Sequence, residues 1–179
     1  MNAISWTRVA LPVLMACGGP RATLELTSQG QVVPDFLLED VNLNSPRAGE
    51  SIGPSGERGR TTAWYFGHAN CGYCSAQFGE LDALAVSLED AGLDVGIFGI
   101  NNAGYEDSNP DITEGRVLPW LQDPNGDVWV RWGAEWRDLY LVNADGEWVE
   151  TYNLTTFSLA DNTNRETLTA RLTELGGEQ

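Results

Sequence analysis

Four residues constrain this chain more than any others: Cys71-Gly72-Tyr73-Cys74, set between a strand-like run and a helix-like one. Upstream, Thr61-Thr62-Ala63-Trp64-Tyr65-Phe66 is β-branched and aromatic, the composition of a buried strand. Residues 67–72 read as a turn. Downstream, apolar residues fall at Phe78, Leu81, Leu84, Ala85 and Leu88. Steps of three and four predict an amphipathic helix, with Gln77, Glu80, Asp82 and Glu89 off the stripe and Gly92 as its stop. Leu93-Asp94-Val95-Gly96-Ile97-Phe98-Gly99-Ile100 is nearly continuous and apolar, as in a strand covered on both faces. Strand, helix, strand predicts a βαβ unit with parallel strands and a right-handed crossover.

The second half has its own order. Residues 101–118 read as loop, with a helical turn near Leu118-Pro119-Trp120-Leu121. Asp127-Val128-Trp129-Val130-Arg131-Trp132 fits either a short helix or a strand edge. Asp138-Leu139-Tyr140-Leu141-Val142 predicts a strand, Asn143-Ala144-Asp145-Gly146 a turn, and Glu147-Trp148-Val149-Glu150-Thr151-Tyr152 the returning arm of a hairpin. Leu168, Leu172 and Leu175 share one face of a closing helix, for which Thr163 and Glu166 form a capping box. Before all this, residues 29–60 read as a lead-in. It has an extended piece at residues 33–38 and a loop rich in Asn, Ser, Gly, Pro and Arg over residues 42–60. The sum is an α/β domain over residues 31–179: a central mixed sheet with flanking helices, βαβ then ββα, the order of the thioredoxin core.

Two cysteines three apart at a helix start can close a disulfide. Free backbone N–H groups and the helix dipole there stabilise a thiolate at the first position. On this reading Cys71 attacks and Cys74, one turn in, resolves the mixed disulfide. Three other readings share the pattern. A zinc pair needs two further ligands, and outside Cys17 only His68 and carboxylates remain. A static disulfide closing so short a loop constrains the unfolded chain little. A degenerate domain keeps the motif without the activity. His68, the only histidine, precedes Cys71 by three residues. A protonated imidazole there would favour the thiolate, while the plainer reading is a solvent-facing turn residue. Tyr73 either tunes the pair or packs beside it. Trp64, Trp120, Trp129, Trp132, Trp136 and Trp148 read as core or rim.

Charge excludes some classes. The chain carries 26 acidic residues against ten basic ones, all arginine, for a net charge of −16. That field repels nucleic acid and gives no polybasic grip on anionic lipid. No cofactor and no metal site is implied.

The front end reads as an address. Residues 1–16 hold one cation, Arg8, and no acid, and end in a run of eight apolar residues, Val9-Ala10-Leu11-Pro12-Val13-Leu14-Met15-Ala16. A spanning helix needs about 20 residues, so the run fits a signal peptide. Leu14-Met15-Ala16-Cys17 resembles a bacterial lipobox. That resemblance implies cleavage before Cys17, acylation of Cys17, and a tether over residues 17–30. The domain would then face the periplasm or the exterior of a bacterial cell envelope, held to the membrane by lipid.

Residues 33–175 are similar to extracytoplasmic thioredoxin-like proteins, and residues 60–160 resemble the N-terminal domain of selenoprotein P. The carrying stretches are Cys71-Gly72-Tyr73-Cys74 with Leu81-Asp82-Ala83-Leu84; Gly96-Ile97-Phe98-Gly99-Ile100-Asn101-Asn102-Ala103-Gly104; Asp127-Val128-Trp129; Gly133; Asp138-Leu139-Tyr140-Leu141-Val142; and Asp145-Gly146. The resemblance puts Cys71 at the selenocysteine position. It implies thiol–disulfide exchange or thiol-dependent peroxide reduction, with a redox partner protein or a small thiol or peroxide as the other reactant. Two positions depart from thioredoxins proper. Arg137 stands where a cis-proline shapes the peptide groove, and Tyr65 stands where a buried acid serves the second cysteine. Arg137 or Asp138 is the expected replacement near the dithiol. The competing class is a non-catalytic, lipid-anchored binding module of the same fold.

Overall fold

A computed structural model describes residues 26–177. Cys17, the leader and most of the expected tether lie outside the described residues. A short hairpin, β1 (Leu38–Glu39) and β2 (Ser51–Ile52), opens the domain, so the lead-in is more ordered than its composition suggests. Then follow β3 (Thr61–Gly67), α1 (Gly72–Asp90), β4 (Val95–Asn101), α2 (Asn109–Thr113), β5 (Trp120–Gln122), α3 (Asp127–Trp132), β6 (Asp138–Val142), β7 (Trp148–Asn153) and α4 (Asn162–Gly177). The main sheet has the order β5-β4-β3-β6-β7. β3 pairs parallel with β4, and β4 with β5. β6 runs antiparallel to both β3 and β7. The fold is thioredoxin-like, with the expected βαβ and ββα halves joined at β3.

The two-residue period of the strands builds two cores. Ala63, Tyr65, Ile97, Leu139 and Leu141 point to a face covered by Phe78, Leu81, Leu84 and Leu88 of α1 and Leu168, Leu172 and Leu175 of α4. Trp64, Phe66, Phe98, Ile100, Tyr140 and Val142 point to the other face, covered by Val33, Phe36 and Leu38 of the lead-in and Val128, Trp129 and Trp132 of α3. The second core is largely aromatic, with Trp64 stacked on Phe98 at 4.4 Å and Phe66 edge-on to Trp129 at 5.3 Å. Gly99 in β4 is required by the first core. A Cβ there would lie 2.1 Å from the Trp120 ring.

Helix ends follow local chemistry. Gly92, with φ +77°, closes α1 through Gly92 N–H to the Glu89 carbonyl and Leu93 N–H to the Leu88 carbonyl, a Schellman stop. Asp123 accepts from the N–H groups of Gly126, Val128 and Trp129, which fixes residues 127–132 as helix and not strand.

Three expectations are corrected. Residues 118–121 do not form a helical turn. Trp120 and Leu121 belong to β5, which pairs with Gly99 and Ile100, and the local helix is α2 instead. Thr163 does not cap α4. Asp161 does so, its carboxylate accepting from Thr163 N–H at 2.7 Å, and Thr163 lies inside the helix. Gln77 is buried with the apolar stripe of α1, because its amide accepts from Leu159 N–H at 2.8 Å and donates to Ser158 Oγ at 3.1 Å.

Candidate functional site

The dithiol sits where β3 hands over to α1. Strand β3 is central and fully buried, so its C-terminal end is held firmly. A bend at residues 68–71 follows, closed by Cys71 N–H to the His68 carbonyl at 3.0 Å. Asn101, at the end of β4 and with no exposed surface, holds this bend from beneath. Its Oδ1 accepts from Ala69 N–H at 3.0 Å, and its Nδ2 donates to Asn109 Oδ1 at 2.9 Å and Gln122 Oε1 at 2.8 Å. The positioning role of Asn101 was missed, although a polar residue closing a buried apolar strand was the available signal.

Cys71 is the N-cap of α1. Its Sγ accepts from Cys74 N–H at 3.1 Å, the bond a capping serine would make. Cys71 is partly exposed, whereas Cys74 is fully buried, and both are free thiols. Partial burial alone would push the Cys71 thiol up. Hydrogen bonds from the Cys74 side chain and backbone, and from Arg137 with its charge, outweigh burial and hold the thiol below its ordinary value. Burial pushes the Cys74 thiol up, and the neighbouring Cys71 sulfur adds to this, against opposing contacts from the His68 backbone and Arg137.

Arg137 closes the opposite side. Its Nη1 lies 3.8 Å from Cys71 Sγ and 4.0 Å from Cys74 Sγ. Its Nε donates to Thr155 Oγ1 at 2.7 Å, and the guanidinium rests over the Tyr73 ring at 5.2 Å. The backbone is held equally firmly. Arg137 N–H donates to the Phe66 carbonyl and its carbonyl accepts from Leu154 N–H, both at 2.8 Å. Arg137 has φ +72° and is the one non-glycine residue with positive φ among those described. That conformation costs about 1–2 kcal/mol for an L-residue, and the flanking bonds maintain it. No peptide bond among the described residues is cis.

The remaining candidates fall into place around this core. Tyr65 lies beneath Cys74, its buried hydroxyl donating to the Cys74 carbonyl at 3.3 Å. Burial, then the Cys74 sulfur, holds its phenol well above the ordinary value, so it stays neutral. Tyr73 is exposed at the rim and donates to the Leu154 carbonyl. Asp138 does not join the sulfurs. Its carboxylate accepts from Glu135 N–H at 2.8 Å and Asn153 Nδ2 at 2.8 Å.

His68 is not a solvent-facing turn residue. It is 2% exposed, stacked on Tyr105 at 4.1 Å and against Trp136 at 4.0 Å, with neither ring nitrogen hydrogen-bonded. Burial, then the Arg137 charge, lowers its pKa to about 4. A protonated imidazole beside Cys71 is therefore the wrong picture, and the cation at this site is Arg137. Among the described residues no group of three metal-ligating side chains occurs, and no helix is long and apolar enough to cross a membrane.

No family model matches the chain, and no curated protein sequence does. Solved structures do resemble it. A putative protein disulfide isomerase from Bacteroides thetaiotaomicron superposes with a TM-score of 0.68 at 17% identity, over 87% of this chain and 95% of that one. A secreted Mycobacterium tuberculosis disulfide oxidoreductase, described as homologous to E. coli DsbE, gives 0.61 at 19% identity, over 78% and 96%. The exposed lipoprotein thioredoxin of Streptococcus pneumoniae gives 0.53 at 22% identity, over 66% and 87%. At these identities the likeness establishes the thioredoxin-like fold. The neighbours' names are those of thioredoxin-like proteins of thiol–disulfide chemistry, and this chain carries the Cys71-Gly72-Tyr73-Cys74 pair.

Proposed function

We propose that this chain is an extracytoplasmic thiol–disulfide oxidoreductase in which Cys71 attacks and Cys74 resolves. One observation carries the reading: an accessible Cys71 sulfur at the head of a 19-residue helix, beside a guanidinium, with the second sulfur buried directly behind it. The Cys71 thiolate attacks one sulfur of a disulfide and expels a thiolate. Cys74 then gives up its proton and attacks Cys71, expelling the second thiol. Two electrons leave the dithiol and the internal disulfide forms. A partner reverses the step, and the relative potentials set the direction. The resemblance to the selenoprotein P domain extends the same chemistry to hydroperoxides. There the Cys71 thiolate attacks the terminal peroxide oxygen, the O–O bond breaks and the alcohol leaves with a proton, giving a sulfenic acid. The Cys74 thiol then displaces its hydroxyl as water and the internal disulfide forms.

The facing wall favours small substrates over polypeptides. At Arg137 both backbone groups are already bonded within the protein, so this residue offers an extended chain no free N–H and C=O pair to match. The location is part of the proposal. The lipobox-like Leu14-Met15-Ala16-Cys17 supports a lipid on Cys17, and the secreted and lipoprotein neighbours fit a place in the cell envelope.

The test is turnover of hydroxyethyl disulfide, insulin and a hydroperoxide with a thiol reductant, by the parent and by Cys71→Ser. The serine variant keeps the N-cap, so it should fold as the parent does while losing all turnover. A parent that is inactive on all three would leave a binding module of the same fold.

A further inference from the structure

Among the described residues, four arginines, Arg47, Arg60, Arg165 and Arg171, are neutralised by ion pairs. Arg137 makes none, nor do Arg58, Arg116 and Arg131, but of these four only Arg137 stands beside the dithiol. The guanidinium is also locked in direction. Nε is tied to Thr155, Nη1 faces the sulfurs, and the plane rests over Tyr73. Nη2 has no hydrogen-bond partner among the described residues. An open groove runs beside it, lined by Glu135, Trp136, Asp138, Asn153, Thr155 and Thr156.

We propose that Arg137 is a specificity-determining residue that selects small disulfides carrying a carboxylate close to the sulfur. The proposal rests on the oxidoreductase reading above. In the encounter, Nη1 stays with the Cys71 sulfur while Nη2 takes the carboxylate of the incoming disulfide. The substrate sulfur is thereby brought to the nucleophile. The guanidinium fork is already oriented by Thr155 and the sulfurs, so little side-chain freedom is lost when its remaining Nη2 donates one charge-assisted hydrogen bond to the carboxylate. The reaction is the exchange already balanced: RS–SR plus the dithiol gives two RSH and the internal disulfide. Elsewhere the net charge of −16 repels anions, so preference for an anionic substrate has one source in this site. Glu135 and Asp138 line the groove and work against that preference, so a measured preference exists only if Arg137 overrides them.

The experiment measures second-order oxidation rates of the reduced protein by 3,3′-dithiodipropionate, hydroxyethyl disulfide and cystamine. Each rate is divided by the rate of the same disulfide with free mercaptoethanol. The parent should favour the dianion over the dication. In Arg137→Gln all three rates fall, because the thiolate is weakened. The anion-to-cation ratio should itself drop by about tenfold, the value of one charge-assisted hydrogen bond. Arg137→Lys, which keeps the charge without the fork, should give an intermediate ratio. A general structural role for Arg137 would lower the three rates together and leave the ratio unchanged. An unchanged ratio in a folded Gln variant overturns the proposal. So does a parent that prefers cystamine, a result that needs no variant at all. If the parent reacts with none of the three, the oxidoreductase reading falls instead, and that failure is distinct from a lost preference.

Discussion

The dithiol lies between two walls of different origin. The near wall is local: β3, the bend at residues 68–71 and the first turn of α1, with Cys71 as cap and Cys74 one turn in. The far wall is assembled from distant pieces. Trp136 and Arg137 come from the loop before β6, Thr155 from the loop after β7, and Tyr105 from the loop after β4. The near wall supplies the two sulfurs and a helix terminus, which any chain with this spacing would have. The far wall supplies the charge, through a residue held at positive φ. On the proposed reading, reactivity depends on the near wall for its existence and on the far wall for its strength and selectivity.

The largest test of this division is Cys74→Ser. The position is fully buried, and serine is the substitution closest to cysteine in shape. Cys71 keeps its cap bond to the residue 74 amide and its contact with Arg137. The first attack should survive, whereas resolution has no second thiol. Turnover should fall by about 100-fold or more, because release then needs an external thiol. The enzyme should accumulate as a mixed disulfide, visible as a mass increase under non-reducing conditions. If Cys74→Ser turns over as the parent does, the second sulfur is not part of the reaction and the near wall acts through Cys71 alone.

A smaller effect separates the far wall. In Arg137→Gln the sulfurs and the helix stay, and only the guanidinium goes. The Cys71 thiol should move up toward its ordinary value, since Arg137 is among the contacts that outweigh its partial burial. Less of the thiol is then ionised near pH 7, and alkylation there slows. Iodoacetamide alkylation followed against pH reads this directly. The profile should shift to higher pH and its plateau should stay where it was. A profile that does not move would assign the lowered thiol to the helix terminus alone.

The walls also differ in how legible they are in the sequence. The near wall could be read almost whole, because strand, turn and amphipathic helix are contiguous and each has its own period. The α1–α4 core was legible for the same reason, since Leu81, Leu84 and Leu88 and Leu168, Leu172 and Leu175 advertise their faces. The aromatic core was not. Besides Phe98 of β4, Trp64 and Phe66 pack on Phe36, Trp129 and Trp132, which lie in short segments without enough turns to show a period. β5 was missed because three residues carry no alternation. Arg137 was placed near the dithiol only through the departure from a cis-proline, and its charge there did reach both sulfurs. His68 was misjudged because nothing in residues 67–72 announces Tyr105 and Trp136, which come from sequence positions far away and bury it.

That buried histidine gives the finest test of the far wall. With a folded value of about 4 against 6.5 in the unfolded chain, His68 binds its proton first in the unfolded state. Above pH 6.5 it contributes no pH dependence. As pH falls from 6.5 toward 4, the unfolded chain gains the proton and stability is lost. Below 4 both states are protonated and the loss is complete. At pH 5 the loss should be on the order of 1–2 kcal/mol after allowance for screening. His68→Phe keeps an aromatic ring between Tyr105 and Trp136 and has nothing to protonate. Urea unfolding at pH 7 and pH 5 should therefore show a smaller drop in the variant than in the parent, by that amount. The Cys71 alkylation profile should be nearly unmoved, because Arg137 and not His68 supplies the charge. A variant that keeps the parent's acid sensitivity would mean that the imidazole is already open to water in the folded protein. The aromatic half of the far wall would then not be the closed stack that the ring distances describe.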